Sequence, residues 1–368
     1  MNLSSISKKK SKEENDERGN SNPYLFFKAK KKIIILILIA ASIVVSLISL
    51  GMGAYSMSVW KVIETLLFNN ESVSGVVIWD IRLPRIFAAV IVGSALAISG
   101  SVMQCILRNP LASPYTLGIS NAAAFGAAMS IAASYMSWFN ETWLEDALNS
   151  IYGMSSFAFL FSMLTVGIIV ILSKKSEFAP ESIILAGVAM GSIFGAALSS
   201  LKYLVDSETL QEIVFWQFGD LSKATWSDLS LVLIFLLFIT SFFIYHRLDY
   251  NSIEAGSDIA KSLGVDTQRL TILSMLFASV LAAICVAMVG IIGFVGLLGP
   301  HLMRRLIGGD YRQLLPASMV MGSLILLLSD AIGRIPFESP IPVGIITSLL
   351  GGPMFLYILV KKDWRGRK

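Results

Sequence analysis

The chain has 368 residues, 55% of them hydrophobic and 15% charged, with a mean hydropathy of +0.72. A water-soluble domain carries about 25% charged residues to cover its surface, so a soluble globule is excluded. The net charge of +4 does not point to nucleic acid, because the cations stand at the edges of apolar runs, where they report membrane topology.

Residues 1–32 are polar, with nine cations from Lys8 to Lys32 interleaved with Glu13, Glu14, Asp16 and Glu17. Such a segment buries no core, and it is predicted to be a disordered cytoplasmic tail. Ile33–Leu50 is the first apolar run; the charged region before it is too long for a signal peptide, and the chain re-enters the membrane repeatedly afterwards. Further runs of spanning length fall at Ile81–Leu107, Tyr115–Ser137, Met154–Leu172, Glu181–Leu204, Trp226–His246, Leu270–Val289, Phe294–Ile307, Leu314–Ile332 and Pro342–Val360. The reading is an all-α, polytopic membrane protein of about ten helices: a transmembrane domain over 33–362 and a short cytoplasmic tail over 363–368. The eighth span is short and starts at the glycine-rich Gly290–Gly293, which predicts a broken or re-entrant beginning.

Ten spans put both termini on one side. With the termini in the cytoplasm, 23 cations lie inside and 6 outside, the distribution that the positive-inside rule requires. The six outer cations include Arg82, Arg85 and Arg334, set among outer acids such as Asp80, Glu141, Glu145 and Asp146.

Gly187, Gly191 and Gly195 repeat at four-residue spacing on one face of the fifth span, and Gly93, Ala97 and Ser101 repeat the pattern in the second. Missing side chains at that spacing allow helix backbones to approach, which is how helices associate where lipid offers no hydrophobic drive. Packing within one subunit, a subunit interface and a pathway lining are all compatible with the spacing. Gly351, Gly352 and Pro353 are expected to break the tenth span.

Little in the chain suggests chemistry of its own. Buried carboxylates near the midplane mark ion-driven carriers, whereas here Lys202 and Asp330 are placed near outer span ends, within snorkelling reach of water, and Gln104 is merely polar. His301 lacks companions at metal-ligand spacing, and Cys105 and Cys285 read as small buried hydrophobes. The string Gly256–Ser262 (GSDIAKS) is one residue short of a phosphate-binding loop and lacks its second glycine. No metal, cofactor or catalytic set is assigned, so any energy source has to come from a partner on the inner side. The longest inner loop is Arg247–Arg269; within it Ile253–Val265 predicts a short amphipathic helix with Ile259 and Leu263 four apart, closed by Gly264.

These segments carry a resemblance. RLPRIFAAVIVGSALAISGSVMQCILRNPLASPYTLGIS (Arg82–Ser120), AGSDIAKSLGV (Ala255–Val265), GFVGLLGPHLMRRLIG (Gly293–Gly308) and PVGIITSLLGGPMF (Pro342–Phe355) resemble, in order and spacing, the permease subunits of ABC importers for iron-siderophore, haem and cobalamin, the FecCD type. The resemblance implies a ten-span subunit in which spans two to five and seven to ten form an inverted pair. It also implies pairing with a second permease copy or paralogue, two ATPase subunits inside, an extracytoplasmic binding protein outside, and an iron chelate, haem or corrinoid as cargo. By the same resemblance the ATPase-coupling segment is Ala255, Gly256, Ser257, Asp258, Ala260, Lys261, Leu263 and Gly264, with Ser257 and Asp258 standing where acidic pairs are common. Arg82, Arg85 and Arg334 match positions that receive acidic residues of the binding protein, against the plainer reading of interfacial anchors. The alternative from another class is a stand-alone secondary carrier or channel; an intramembrane enzyme ranks third, for want of a catalytic set.

Overall fold

A computed structural model describes residues 23–53, 55, 57–68, 72–135, 152–334 and 340–365. Among them every regular element is helical: α1 Pro23–Gly51, α2 Val59–Phe68, α3 Val73–Ile106, α4 Ile119–Tyr135, α5 Gly153–Lys174, α6 Pro180–Leu204, α7 Ser207–Gln217, α8 Trp226–Tyr245, α9 Arg247–Ala255, α10 Ser257–Ser262, α11 Thr267–Val289, α12 Val295–Ile307, α13 Tyr311–Arg334 and α14 Val343–Arg365. Seven of these are long and apolar enough to cross a membrane, α4 and α14 hold shorter apolar stretches, and α12 is a 13-residue helix. Each of the ten expected spans therefore coincides with a helix. α1 begins at Pro23, inside the expected tail, and residues 1–22 and 366–368 lie outside the described residues, as do Glu141, Glu145 and Asp146.

The architecture follows from which helices can afford close approach. The apolar stretch of α3 is 89% buried, that of α1 only 11%, so α3 is the axis of the bundle and α1 lies at its edge. α3 is rich in alanine, serine and glycine on every side, and α12 and α13 both cross it at glycines. A Cβ added to Gly93 would stand 2.6 Å from the carbonyl oxygen of Gly322 on α13, and one added to Gly100 would collide with the carbonyl of Gly296 on α12. Ser94 and Ser323 meet across the α3–α13 crossing at 2.8 Å, and Ser323 also donates to the Val90 carbonyl at 2.8 Å. The packing is thus close backbone approach plus hydroxyl bonds, the two devices available in lipid. The weak pattern at Gly93, Ala97 and Ser101 turns out to mark the central helix.

The contacts repeat with an offset of five spans. α3 packs on α12 and α13 as α11 packs on α4 and α5; α4 packs on α5 and α6 as α12 packs on α13 and α14; and α5 meets α6 as α13 meets α14. An odd offset inverts the direction of travel, so the two halves are related as an inverted pair. At one end of the bundle lie the end of α1, the starts of α3 and α8, and the end of α13, tied by Trp226 Nε1 donating to the Trp79 carbonyl at 3.0 Å. At the other lie α9, α10 and the α12–α13 turn, tied by Asn251 Nδ2 donating to Asp310 Oδ1 at 3.0 Å.

Candidate functional site

The second helix of each half, α4 and α12, begins at a break. Before α4 the chain makes a one-turn 3-10 helix, Pro114–Leu117, capped by reciprocal bonds between Ser113 and Thr116, and leaves it at Gly118 with φ 74°. Before α12 the non-helical Gly290–Gly293 leads to Phe294 at φ 65°, a left-handed conformation that a bulky residue adopts only when its surroundings enforce it. Of the broken or re-entrant start expected at the eighth span, the break is present, and α4 has a counterpart that the sequence reading did not anticipate.

Between the two breaks lies a cavity of about 850 Å³. Thr116 and Asn121 line it from the first half, Phe294 and Leu297 from the second, Gln217 from α7 and Ser348 from α14, and none of the described residues lining it is charged. Non-helical backbone at membrane depth is tolerated where it faces protein or a cavity, and both breaks meet that condition. The chemistry such walls offer is weak: hydroxyl and amide groups, apolar surface and no fixed charge.

The glycine face of α6 serves this site from behind. A Cβ on Gly187 would stand 2.8 Å from Leu117 Cα, and one on Gly191 would stand 3.3 Å from Gly118 Cα. Asn121 Nδ2 donates to the Gly191 carbonyl at 2.8 Å, and Gly195 has only that amide nearby, at 3.6 Å. Of the readings left open by spacing, the first two glycines pack within the subunit, seating the break before α4. In α14, Gly351 lies against the Phe294 ring, where a Cβ would overlap it, whereas Gly352 faces open space. Pro353 stands inside an unbroken helix, so the expected break of the tenth span is corrected: the proline withholds one donor, and packing across Phe294 holds the helix together.

The arginines at the end of the bundle where α1 finishes have partners within the chain. Arg82 is buried and donates to the carbonyls of Leu50 and Tyr55; Arg334 donates to the Ser49 carbonyl at 3.2 Å. Asp330 pairs with both Arg85, at 2.7 Å, and Arg334, at 2.8 Å, with its side chain 1% exposed. Asp330 is thus not snorkelling to water, and Arg85 and Arg334 both turn to its carboxylate. These two neutralise one buried carboxylate, and Arg82 and Arg334 supply donors to the last carbonyls of α1, which a helix leaves unpaired. A single aspartate four residues before an arginine in an apolar span was the available signal for this. Lys202, the other charge placed near a span end, donates to Gln217 Oε1 at 3.2 Å.

At the opposite end, the expected amphipathic helix is two short ones. α9 stops at Gly256 and α10 runs Ser257–Ser262, with Gly264 at φ 83° after it. Ile259 and Leu263 are 50% and 67% exposed, Ser257, Asp258, Lys261 and Gly264 flank them, Ala255 ends α9, and Ala260 is fully buried. Ala260 therefore does not belong to the surface offered outward, a correction to its place in the candidate set. α9 is locked to the bundle: Tyr250 is fully buried, its hydroxyl meets Ser274 Oγ on α11 at 2.8 Å, and its carbonyl accepts from Cys105 Sγ on α3 at 3.3 Å. Arg304 on α12 pairs with Glu254 and donates to the Tyr311 hydroxyl at 2.8 Å. In the α12–α13 turn, partial burial works to raise the Asp310 carboxyl, but hydrogen bonds from Arg312 and Asn251 outweigh it and hold the group down at about 2. Cys105 and Cys285 are free and buried, as expected.

An inverted pair of helical halves, each with a broken helix start beside one cavity, and a locked helix pair at one end, defines a transport permease. The chain belongs to the FecCD transport family, whose profile matches residues 38–361. A Methanocaldococcus jannaschii protein assigned as an ABC transporter permease is 46% identical over 318 residues, 86% of this chain and 90% of that protein. The hemin transport system permease protein HmuU of Yersinia pestis is 35% identical, covering 87% of this chain and 93% of its own length. A solved structure assigned to a metal-chelate type ABC transporter in an inward-facing conformation is 33% identical with a TM-score of 0.77, covering 90% of this chain and 99% of the other.

Proposed function

We propose that this chain is the membrane subunit of an ATP-driven importer that carries an iron chelate, haem or corrinoid into the cytoplasm through the cavity between the α4 and α12 breaks. The single observation that carries the reading is that cavity: a space of about 850 Å³ between two broken helix starts, with no charge among the described residues lining it, suits cargo passed on rather than cargo held. The names of relatives point the same way, since HmuU is a hemin permease and YfmE of Bacillus subtilis an Fe(3+)-citrate permease, 34% identical over 86% of this chain. The termini and the α9–α10 end lie in the cytoplasm, consistent with the cation distribution. A second permease copy completes the pathway, an extracytoplasmic binding protein delivers cargo, and two ATPase subunits supply the hydrolysis that this subunit does not perform.

In this reading Ile259 on α10 and Leu263 directly after it insert into the ATPase subunit, and α9, clamped through Tyr250 and Glu254, passes the displacement to α3, α11 and α12. Arg82, Arg85 and Arg334 set the shape of the outer face by holding α1, α3 and α13 together, without lending their guanidinium groups to the binding protein. The test is uptake of radiolabelled iron chelate by proteoliposomes holding the complete importer. Uptake that requires enclosed ATP and survives a protonophore supports the reading; uptake that proceeds without ATP and collapses with the ion gradient makes the chain a secondary carrier instead.

A further inference from the structure

Between the first two spans the chain forms α2, Val59–Phe68. Its 10 residues make a helix about 15 Å long, half of what crosses a hydrocarbon core. Its level in the bundle is fixed from two sides. Met57 N donates to the Gly51 carbonyl at 3.2 Å, so the chain turns back onto the last residue of α1 before α2 starts. α2 then packs on the end of α1 and on Val77–Arg82 of α3, and Arg82 reaches the Leu50 carbonyl in the last turn of α1. Six residues of helix rise at most about 9 Å, the scale of one headgroup layer, of which two bring a core about 30 Å thick to about 40–45 Å. α2 therefore stands level with the end of a spanning helix, where hydrocarbon gives way to headgroups.

At 100° per residue its side chains fall into three sectors. Val62 and Thr65 are buried against the bundle, with Leu66 packed beside them. On one side of that strip stand Lys61 and Glu64, paired at 3.2 Å, and exposed Phe68 closes the helix there. On the other side stand Trp60, Ile63 and Leu67, spaced three and four apart and 77%, 42% and 66% exposed.

We infer that α2 is a membrane-surface anchor, lying in the headgroup layer with Trp60, Ile63 and Leu67 sunk to the acyl boundary and the Lys61–Glu64 edge in water. A lipid surface is apolar below one plane and aqueous above it, so it satisfies both edges at once. The apolar edge also continues a lipid-facing surface: the apolar stretch of α1 is 11% buried, and its last turns expose Ile43, Val44, Leu47 and Ile48. The charges of Lys61 and Glu64 cancel, so the attraction is apolar burial, with Trp60 in the layer that indole rings favour. Interfacial anchors of this kind set the tilt and rotation of the helices they are joined to, and α2 is joined to α1 and α3 beside Arg82. The inference goes beyond the transport reading and depends on neither its cargo nor its energy source.

The test uses the full-length permease in phosphatidylcholine vesicles. In a Cys105→Ser, Cys285→Ser background, Trp60→Cys, Lys61→Cys, Ile63→Cys, Glu64→Cys and Leu67→Cys each carry a nitroxide label. Power saturation then compares the collisions of each label with oxygen, which concentrates in lipid, and with a water-soluble nickel chelate. Labels at 60, 63 and 67 should favour oxygen and report depths of about 5–10 Å below the phosphates, whereas labels at 61 and 64 should favour the nickel chelate. Nickel preference at all five positions puts the whole helix in water and overturns the inference. Exclusion of both reagents at 60, 63 and 67 overturns it too, by assigning the edge to a protein neighbour; dipolar broadening between labels at 63 would identify that neighbour as a second copy. A second measurement leaves both native cysteines in place. The tryptophan emission lost in Trp60→Phe should be quenched more strongly by brominated phosphatidylcholine than by aqueous iodide, and the reverse order overturns the inference.

Discussion

Arg85 donates to Asp330 across 2.7 Å in a part of the bundle where the carboxylate is 1% and the guanidinium 11% exposed. The pair joins α3 to α13, and Arg334 shares the same carboxylate. Removing one partner of a buried ion pair leaves the other uncompensated, at a cost of about 3–5 kcal/mol. Asp330→Ala should therefore lower the unfolding midpoint and the detergent-extracted yield sharply, since it strands two buried cations. Arg85→Ala, which leaves Asp330 still paired with Arg334, should cost less. Equal stability of Asp330→Ala and wild type in a thermal unfolding series would show that the cluster is hydrated and contributes nothing.

The α6 glycines should differ in tolerance, in an order set by distance rather than by spacing. Gly195→Ala places its methyl 3.6 Å from Asn121 Nδ2, ordinary van der Waals contact, and should fold and transport normally. Gly187→Ala drives a methyl to 2.8 Å from Leu117 Cα and should cost about 1–3 kcal/mol by overpacking. Gly118→Ala combines a 2.6 Å approach to the Gly191 amide with φ 74° and should be the worst of the three. Purification yield and thermal midpoint of the three variants give the ranking; a flat ranking means that the break before α4 relaxes freely.

The α10 surface separates coupling from folding. Ile259→Asp and Leu263→Asp change exposed side chains and should leave the permease stable in detergent while abolishing ATP-driven uptake and co-purification of the ATPase. Ala260→Arg forces a long charged chain into a fully buried position and should reduce stability as well, so its loss of transport would be uninformative. Normal uptake by both aspartate variants would remove α10 from the coupling surface.

The Asp310 clip predicts a pH dependence of definite sign. Its carboxyl is held at about 2 in the folded chain, below the ordinary unfolded value near 3.9. The stabilisation is therefore complete above the unfolded value and lost as pH falls from there through about 2. Wild type and Asp310→Asn should differ in unfolding midpoint by a constant amount between pH 5 and 8, and the difference should shrink below about pH 4. A difference that persists unchanged at the acid end would assign the variant's effect to packing.

Sequence alone determined the class and the scaffold. Apolar runs of membrane length, cations at their edges and four ordered motifs suffice because each is local: hydrocarbon thickness sets the span length, and backbone groups in lipid have to be satisfied within the helix. Gly290–Gly293 was legible for the same reason, since glycines in an apolar run have local consequences. What only the tertiary structure decided is who faces whom. Arg82, Arg85 and Arg334 are outer cations in the sequence reading, yet across 245 residues Arg85 meets Asp330, and Arg334 shares the same carboxylate. Ala260 and Ile259 are neighbours in sequence, one buried and the other exposed, because α10 presses only one side against the bundle. Gly187 and Gly195 share a helix face, but only Gly187 meets Leu117, because the loop before α4 ends there. Charge pairing and close backbone approach are long-range properties of the folded bundle, and no spacing along one chain encodes the partner on another helix.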